Sequence, residues 1–494
     1  MKRYFSLFIF LIPSAYFALP ALSLGQTNND GSMQHDMEGM QGRMGKEQSQ
    51  PPVSSQNPAQ QTGPEMPAPD LLKEAMKRKA LNLPDFEATA ASSNPTLRQA
   101  DDLSRSSAGR AKQAGLYPNP SVGYEGDQIR GGSYGGGEQG AFVQQTIVLG
   151  GKLGLRRRVY QEQHREDELR AAEQRERVTS EVAQLFYATL AAQETVGVRR
   201  NLLKLSLDAV QTAHQLANVG QADAPDVLQS EVEAEQAQMD YITAQRMFIQ
   251  QFRHLAVLAG NPQLPLTKVD GNLEQTPAID PDHVMDLMLQ NSPEVKRAQQ
   301  AVSVAEAQLK SARREAVPDL TLRAGLQQNY EPINPAGRPV GLQGFGIGSV
   351  TLPIFNRNQG NVQAAKAELE RAQSEIGRVR LSLRQTAEPM VQSYLADQAQ
   401  AERYKNEMIP RASRAYHLYL NRYQAMAAAY PEVIVSQRTL FQLQISYIRT
   451  LQNLWMNVVA LQHFTLTDGL GAPTPAGSPG SNVNLPNAGG GSGD

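Results

Sequence analysis

Leu116-Tyr117-Pro118-Asn119-Pro120 and Ala316-Val317-Pro318-Asp319-Leu320 decide the fold. Each closes a helical stretch, opened by Asn94-Pro95 in the first case and by Ser292-Pro293 in the second, and each leads into a pair of strand-like segments. A helical pattern of about 60 residues follows, then a Pro-acid-Val turn (Pro225-Asp226-Val227 and Pro431-Glu432-Val433) and a shorter helix. The chain therefore carries one unit twice: helix, strand, strand, long helix, helix.

A helix of about 60 residues is about 90 Å long, too long for a single globular core. The helices before the strands and after the turn together approach that length, so they are expected to stack end to end along the long one. Val182, Leu185, Phe186 and Leu190 recur at helical spacing, and Leu228, Val232, Met239 and Ile242 carry the pattern past the turn as expected packing surface. Phe441, Ile445, Ile448, Leu451, Trp455 and Val458 alternate steps of three and four, as coiled-coil packing requires. Leu71 to Leu83 and His283 to Asn291 read as matching short helices ahead of the two repeats.

After Pro118 and Pro318 the period changes to two. Ala141, Val143, Ile147 and Leu149 alternate with Phe142, Gln144 and Thr146, and Leu320, Leu322, Ala324 and Leu326 alternate with Thr321, Arg323 and Gln327. Each strand has roughly the 9 to 11 residues that cross a bilayer at a tilt. Four strands cannot close a barrel whose every edge must be paired in lipid, so closure demands several copies of the chain.

Met1 to Gln26 has a basic start, an apolar run and small residues at its end, the pattern of a secretory signal. No later segment approaches about 18 uninterrupted apolar residues, so a membrane span in this chain would be made of strands. The absence of cysteine excludes disulfides, thiolate metal sites and a Cys nucleophile, and a net charge of -2 gives no reason to expect nucleic acid. The expected organisation is a signal peptide at 1–25, a disordered Met-rich arm at 26–68, repeat one at 69–265 with strands within 118–150, a linker and repeat two at 266–470 with strands within 318–356, and a disordered tail at 471–494.

An enzyme is not expected and no cofactor is implied. The histidines are scattered, with no His-Glu-x-x-His. Gly150-Gly151-Lys152 is not a phosphate loop, because Thr146 replaces the leading glycine and Leu153 the magnesium-binding hydroxyl. A strand-to-helix turn explains those glycines.

The order of these elements resembles the TolC family of outer-membrane efflux proteins, and within it the heavy-metal branch typified by CzcC and CusC. The resemblance runs from about residue 69 to residue 470. Its carriers are Leu116 to Pro120, Ile147-Val148-Leu149-Gly150-Gly151-Lys152, Leu352-Pro353-Ile354-Phe355-Asn356-Arg357-Asn358 and the tips Asn218-Val219-Gly220 to Asp226-Val227-Leu228 and Tyr423 to Glu432-Val433. It implies a mainly α fold with a membrane β-barrel portion: a homotrimer whose chains pool their strands into one barrel and their helices into a periplasmic tunnel. It also implies a periplasmic adaptor and an inner-membrane efflux pump as partners.

By the same resemblance Asp226 and Glu432 match acids at the tunnel mouth, Tyr423 matches a tyrosine that holds the mouth shut, and Val219-Gly220 belongs to the tip that meets the adaptor. Ala428 and Val435 depart from the family's gate arginine and second entrance acid. Read from the residues alone, Pro225-Asp226 and Pro431-Glu432 are equally good helix starts. In a closed oligomer the two acids become carboxylate rings that attract cations. Met33, His35, Met37, Met40 and Met44 form a soft-ligand cluster suited to monovalent copper or silver, or else a Met-rich low-complexity stretch. The expected function is an outer-membrane efflux channel for heavy-metal cations, with copper or silver slightly favoured. A duct for drugs or secreted polypeptides and a periplasmic coiled-coil adaptor or scaffold are the alternatives.

Overall fold

The computed structural model describes residues 71–129, 137–332, 337–425, 427 and 429–473. The signal segment, the Met-rich arm and residues 474–494 of the tail lie outside them, and so does Ala428. The first repeat runs α1 (Leu83–Ser93), α2 (Pro95–Ala114), β1 (Ser121–Asp127), β2 (Glu138–Ile147), α3 (Lys152–Asn218) and α4 (Ala224–Leu258). The second runs α5 (Pro281–Asn291), α6 (Pro293–Arg314), β3 (Leu320–Pro332), β4 (Pro339–Val350), α7 (Gln359–Arg403), α8 (Ile409–Gln424) and α9 (Tyr430–Gln462).

The helix ahead of the first repeat is not Leu71–Leu83. That segment holds only a 3-10 turn at Ala75–Lys77, and the counterpart of α5 is α1, 11 residues long like α5 itself. Pro84 occupies the first turn of α1, where its missing N–H costs no hydrogen bond. Asn82 and Asp85 close a capping box around it.

The first long helix, α3, has 67 residues. Its counterpart is continuous from α7 to α8 but widens into a π-helical stretch at Tyr404–Met408. Pro410, two residues beyond, cannot donate to the carbonyl four residues back and its ring crowds that carbonyl; the wider turn makes room. As expected from their lengths, α2 and α4 share α3 as a partner, while α6 packs on α7 and α9 on α7 and α8. Additionally, α3 packs against α6 and α9, which joins the repeats.

The largest core lies where the linker between repeats crosses the helices. Phe86 packs against Phe186 and Phe252 with ring centroids 6.1 Å apart in each case, and Tyr187 stacks on Trp455 at 3.7 Å. The Trp455 indole donates to the Leu273 carbonyl at 2.9 Å, Gln193 exchanges two hydrogen bonds with Val269, and Leu81 bridges Val269, so the linker's polar backbone is satisfied as it crosses. The Val182–Leu190 stripe lies in this core, as expected. The stripe on α4 does not continue it: Ile242 is partly buried, but Leu228, Val232 and Met239 are exposed.

The strands form one antiparallel sheet in the order β1-β2-β3-β4. They span 7, 10, 13 and 12 residues, so β1 is shorter and β3 and β4 are longer than expected. Register places Val122, Val143 and Ala324 in one row and Tyr124, Ala141 and Leu326 in the next. With Leu322 and Leu342 these give one face an apolar surface that is largely open.

Candidate functional site

The opposite face of the sheet is polar. Glu138 accepts from Gln327 at 2.6 Å and from Asn329 at 2.7 Å, and Arg323 pairs with Glu125. The Arg323 guanidinium lies 3.9 Å from the centre of the Phe142 ring and 5.7 Å from that of Phe345. Gly123 and Gly325 leave room for those two rings, since a Cβ at either would lie under 3 Å from ring carbons. A sheet that is apolar on one face and hydrogen-bonded and charged on the other matches a wall between lipid and water. Strands β1 and β4 have no partner beyond them among the described residues.

Where sheet meets helices, Lys152 is buried and bonds the Asp319 carboxylate at 2.7 Å and the Val317 carbonyl at 2.8 Å. Asp319 also accepts from the Leu149 N–H at 3.0 Å, and Arg156 pairs with Glu315 at 2.6 Å. These contacts tie the start of α3 to the chain entering β3. Burial of an ammonium is tolerable here because both of its partners are oxygen acceptors.

The far ends of the helices hold the expected mouth residues. Helix α3 closes through Gly220, whose φ of +73° permits the left-handed turn, with Gln221 N–H donating to Leu216 at 2.8 Å. Val219 beside it is 66% exposed, an apolar side chain offered to solvent at a turn. Asp226 and Glu432 each occupy the first turn of a helix behind a proline. Their surroundings differ: Asp226 is half-buried near the Tyr423 and Tyr430 hydroxyls, whereas Glu432 is exposed and lines an open groove between α8 and α9 with Tyr419 and Val435.

Tyr423 and Tyr430 pack at 5.4 Å between ring centres. Burial pushes both hydroxyls up, and the Asp226 carboxylate adds to the effect; Tyr430, which also feels Tyr423 and Glu233, reaches about 12. Ser230, fully buried, hydrogen-bonds the Tyr430 hydroxyl and works in the opposite direction. Arg438 pairs with Glu233 across α4 and α9 in the same neighbourhood. Thus Asp226 lies near Tyr423, Glu432 stands apart, and Tyr430, Ser230 and the Glu233–Arg438 pair join a site in which sequence had not placed them. Only the repeat of aromatic residues around the second turn hinted at Tyr430.

Among the described residues no group of three or more His, Cys, Asp or Glu side chains is arranged to hold a metal, and no helix is long and apolar enough to cross a membrane. The Met33–Met44 cluster lies outside those residues.

Comparison with known proteins agrees with this geometry. The outer membrane efflux protein family matches residues 68–261 and 284–465. The cobalt-zinc-cadmium resistance protein CzcC of Cupriavidus metallidurans is 27% identical over 73% of this chain and 84% of its own length. The toluene efflux pump outer membrane protein TtgC of Pseudomonas putida is 26% identical over 55% of this chain and 56% of its own length. The crystal structure of CusC superposes with a TM-score of 0.64 at 16% identity, covering 78% of this chain and 92% of that one. With its duplicated unit and its two-faced sheet, this chain is an outer-membrane channel protein extending into the periplasm, not an enzyme, and it belongs to the outer membrane efflux protein family.

Proposed function

We propose that three copies of the chain close into one barrel and one tunnel, the exit duct of a tripartite efflux system that carries heavy-metal cations from an inner-membrane pump through a periplasmic adaptor to the exterior. The free edges of β1 and β4 support the oligomer, because unpaired backbone groups in lipid cost several kcal/mol each. The exposed Leu228, Val232 and Met239 supply a surface for the neighbouring chain. Asp226 and Glu432 then become carboxylate rings at the mouth, Tyr423 a closing contact, and Val219-Gly220 part of the adaptor's docking tip.

The observation that carries the cargo is the likeness to CzcC, which extends over 84% of that protein against 56% of TtgC at nearly equal identity. Within the metals, the name of CzcC favours cobalt, zinc and cadmium, whereas the Met33, His35, Met37, Met40 and Met44 cluster favours copper or silver by its soft sulfur donors. Growth of a deletion strain on single metals and on organic solvents tests both readings. Sensitivity to one or more metals with unchanged solvent tolerance is expected; the reverse pattern would assign the duct to organic compounds, as the likeness to TtgC suggests.

A further inference from the structure

We infer that the ring of side chains where the sheet passes into the helices is a binding belt for anionic phospholipid headgroups. The inference rests on the outer-membrane location given above and concerns how the protein is seated there. Leu116, Tyr117, Leu352, Ile354 and Phe355 are all more than half exposed at this level, Phe355 at 91%. They lie just outside β1 and β4, at the end of the sheet that adjoins the helices, where a bilayer's interface begins.

Six exposed cations stand on the adjoining helix ends: Arg110 and Lys112 near the end of α2, Arg157 early in α3, Arg313 and Arg314 at the end of α6, and Arg357 just before α7. None has a carboxylate partner among the described residues, and the carboxylates flanking the entry to β3, Glu315 and Asp319, are already engaged by Arg156 and Lys152. Helix dipoles account for only part of the pattern. Arg313 and Arg314 stand at a C-terminus, which favours cations, but Arg357 stands next to an N-terminus, which opposes them. The stem of Arg157 lies against Gly115, where an added Cβ would meet its Cδ at 2.8 Å, so the α2–α3 approach sets where its charged head emerges. Unpaired cations bordering an apolar surface match the phosphate and acyl parts of an anionic lipid together, which a soluble anion does not.

The test uses the full-length protein released from membranes in detergent, with bound lipid counted by native mass spectrometry after addition of phosphatidylglycerol or phosphatidylcholine. The wild type is expected to retain phosphatidylglycerol preferentially. A variant carrying Arg157→Gln, Arg313→Gln, Arg314→Gln and Arg357→Gln should bind it at least ~tenfold more weakly, with phosphatidylcholine binding unchanged. Ile354→Ser with Phe355→Ser should weaken both lipids. If the fourfold variant does not assemble, Arg314→Gln and Arg357→Gln singly should each lower phosphatidylglycerol affinity by about fivefold. Equal retention of the two lipids by the wild type, unchanged phosphatidylglycerol retention in the arginine variants, or displacement of the lipid by inorganic phosphate would overturn the proposal; binding of neither lipid by the wild type would instead count against the membrane seating on which it rests.

Discussion

The Asn94 amide donates to the Leu258 carbonyl at 2.9 Å, so one buried side chain joins the C-terminal end of α4 to the N-terminal end of α2. Its oxygen meanwhile accepts from the Thr96 N–H at 2.9 Å and caps α2. Asn94→Ala removes a helix cap and leaves a buried carbonyl with one partner fewer, at a cost of about 2–3 kcal/mol. Asn94→Asp keeps the cap but turns an acceptor toward Leu258, and should destabilise at least as much. Thermal unfolding of the detergent-extracted protein checks both, and a loss well under ~1 kcal/mol would show that the joint is not set by this side chain.

Channel selectivity should depend on the tip acids. In planar bilayers the wild type is expected to prefer cations, and Asp226→Asn with Glu432→Gln should lose most of that preference. Because Asp226 is half-buried beside the tyrosine pair and Glu432 is exposed, the Asp226 change alone should also alter channel closure. Unchanged ion selectivity in the double variant would reduce both acids to helix starts.

Asp397 gives a signed dependence on pH. Burial raises its pKa, and the Ser393 and Asn457 hydrogen bonds offset only part of that. A carboxyl with a raised folded pKa favours the folded state at low pH, and that contribution is lost as pH rises through the folded value. Asp397→Asn, which retains an acceptor for Asn457, should therefore raise the melting temperature at neutral pH. The gain should vanish near the unfolded pKa of about 4. A gain that persists unchanged at that pH would mean packing, not charge, is responsible.

The exposed apolar residues of α4 should matter to assembly more than to the fold of one chain. Val232→Asp is expected to shift the detergent-extracted protein from oligomer toward monomer while far-ultraviolet circular dichroism still reports intact helices. An oligomer of undiminished stability would remove this stripe from the interface.

The tip tyrosines should titrate late. Tyr430 and Tyr423 favour the folded tip below the ordinary tyrosine pKa of about 10, and this contribution fades as pH rises toward about 12. Tyr430→Phe should remove one late component from the tyrosinate absorbance titration, and an unaltered late component would place that hydroxyl in contact with solvent.

The duplicated order of elements, the period-two strands, the helix starts at Pro225-Asp226 and Pro431-Glu432 and the apolar stripe from Val182 to Leu190 were all legible in the sequence, because backbone sterics and solvent exposure act on neighbouring residues in each case. The effect of a proline depends on which hydrogen bonds already exist around it. At Pro84 a capping box makes it a helix start, and before Pro410 a π-helical stretch lets one long helix continue. The stripe of Leu228, Val232 and Met239 has correct periodicity, but periodicity does not say whether the buried face meets the same chain or another. Only tertiary structure decided that Asp226 lies near Tyr423 and Tyr430 while Glu432 faces a groove elsewhere, that Lys152 reaches Asp319 across 167 residues of chain, and that one arginine lies over the rings of Phe142 and Phe345. Local sequence fixes backbone geometry and which faces are apolar; contacts between distant segments depend on how α3 packs between the helices of both repeats, and no local pattern encodes that.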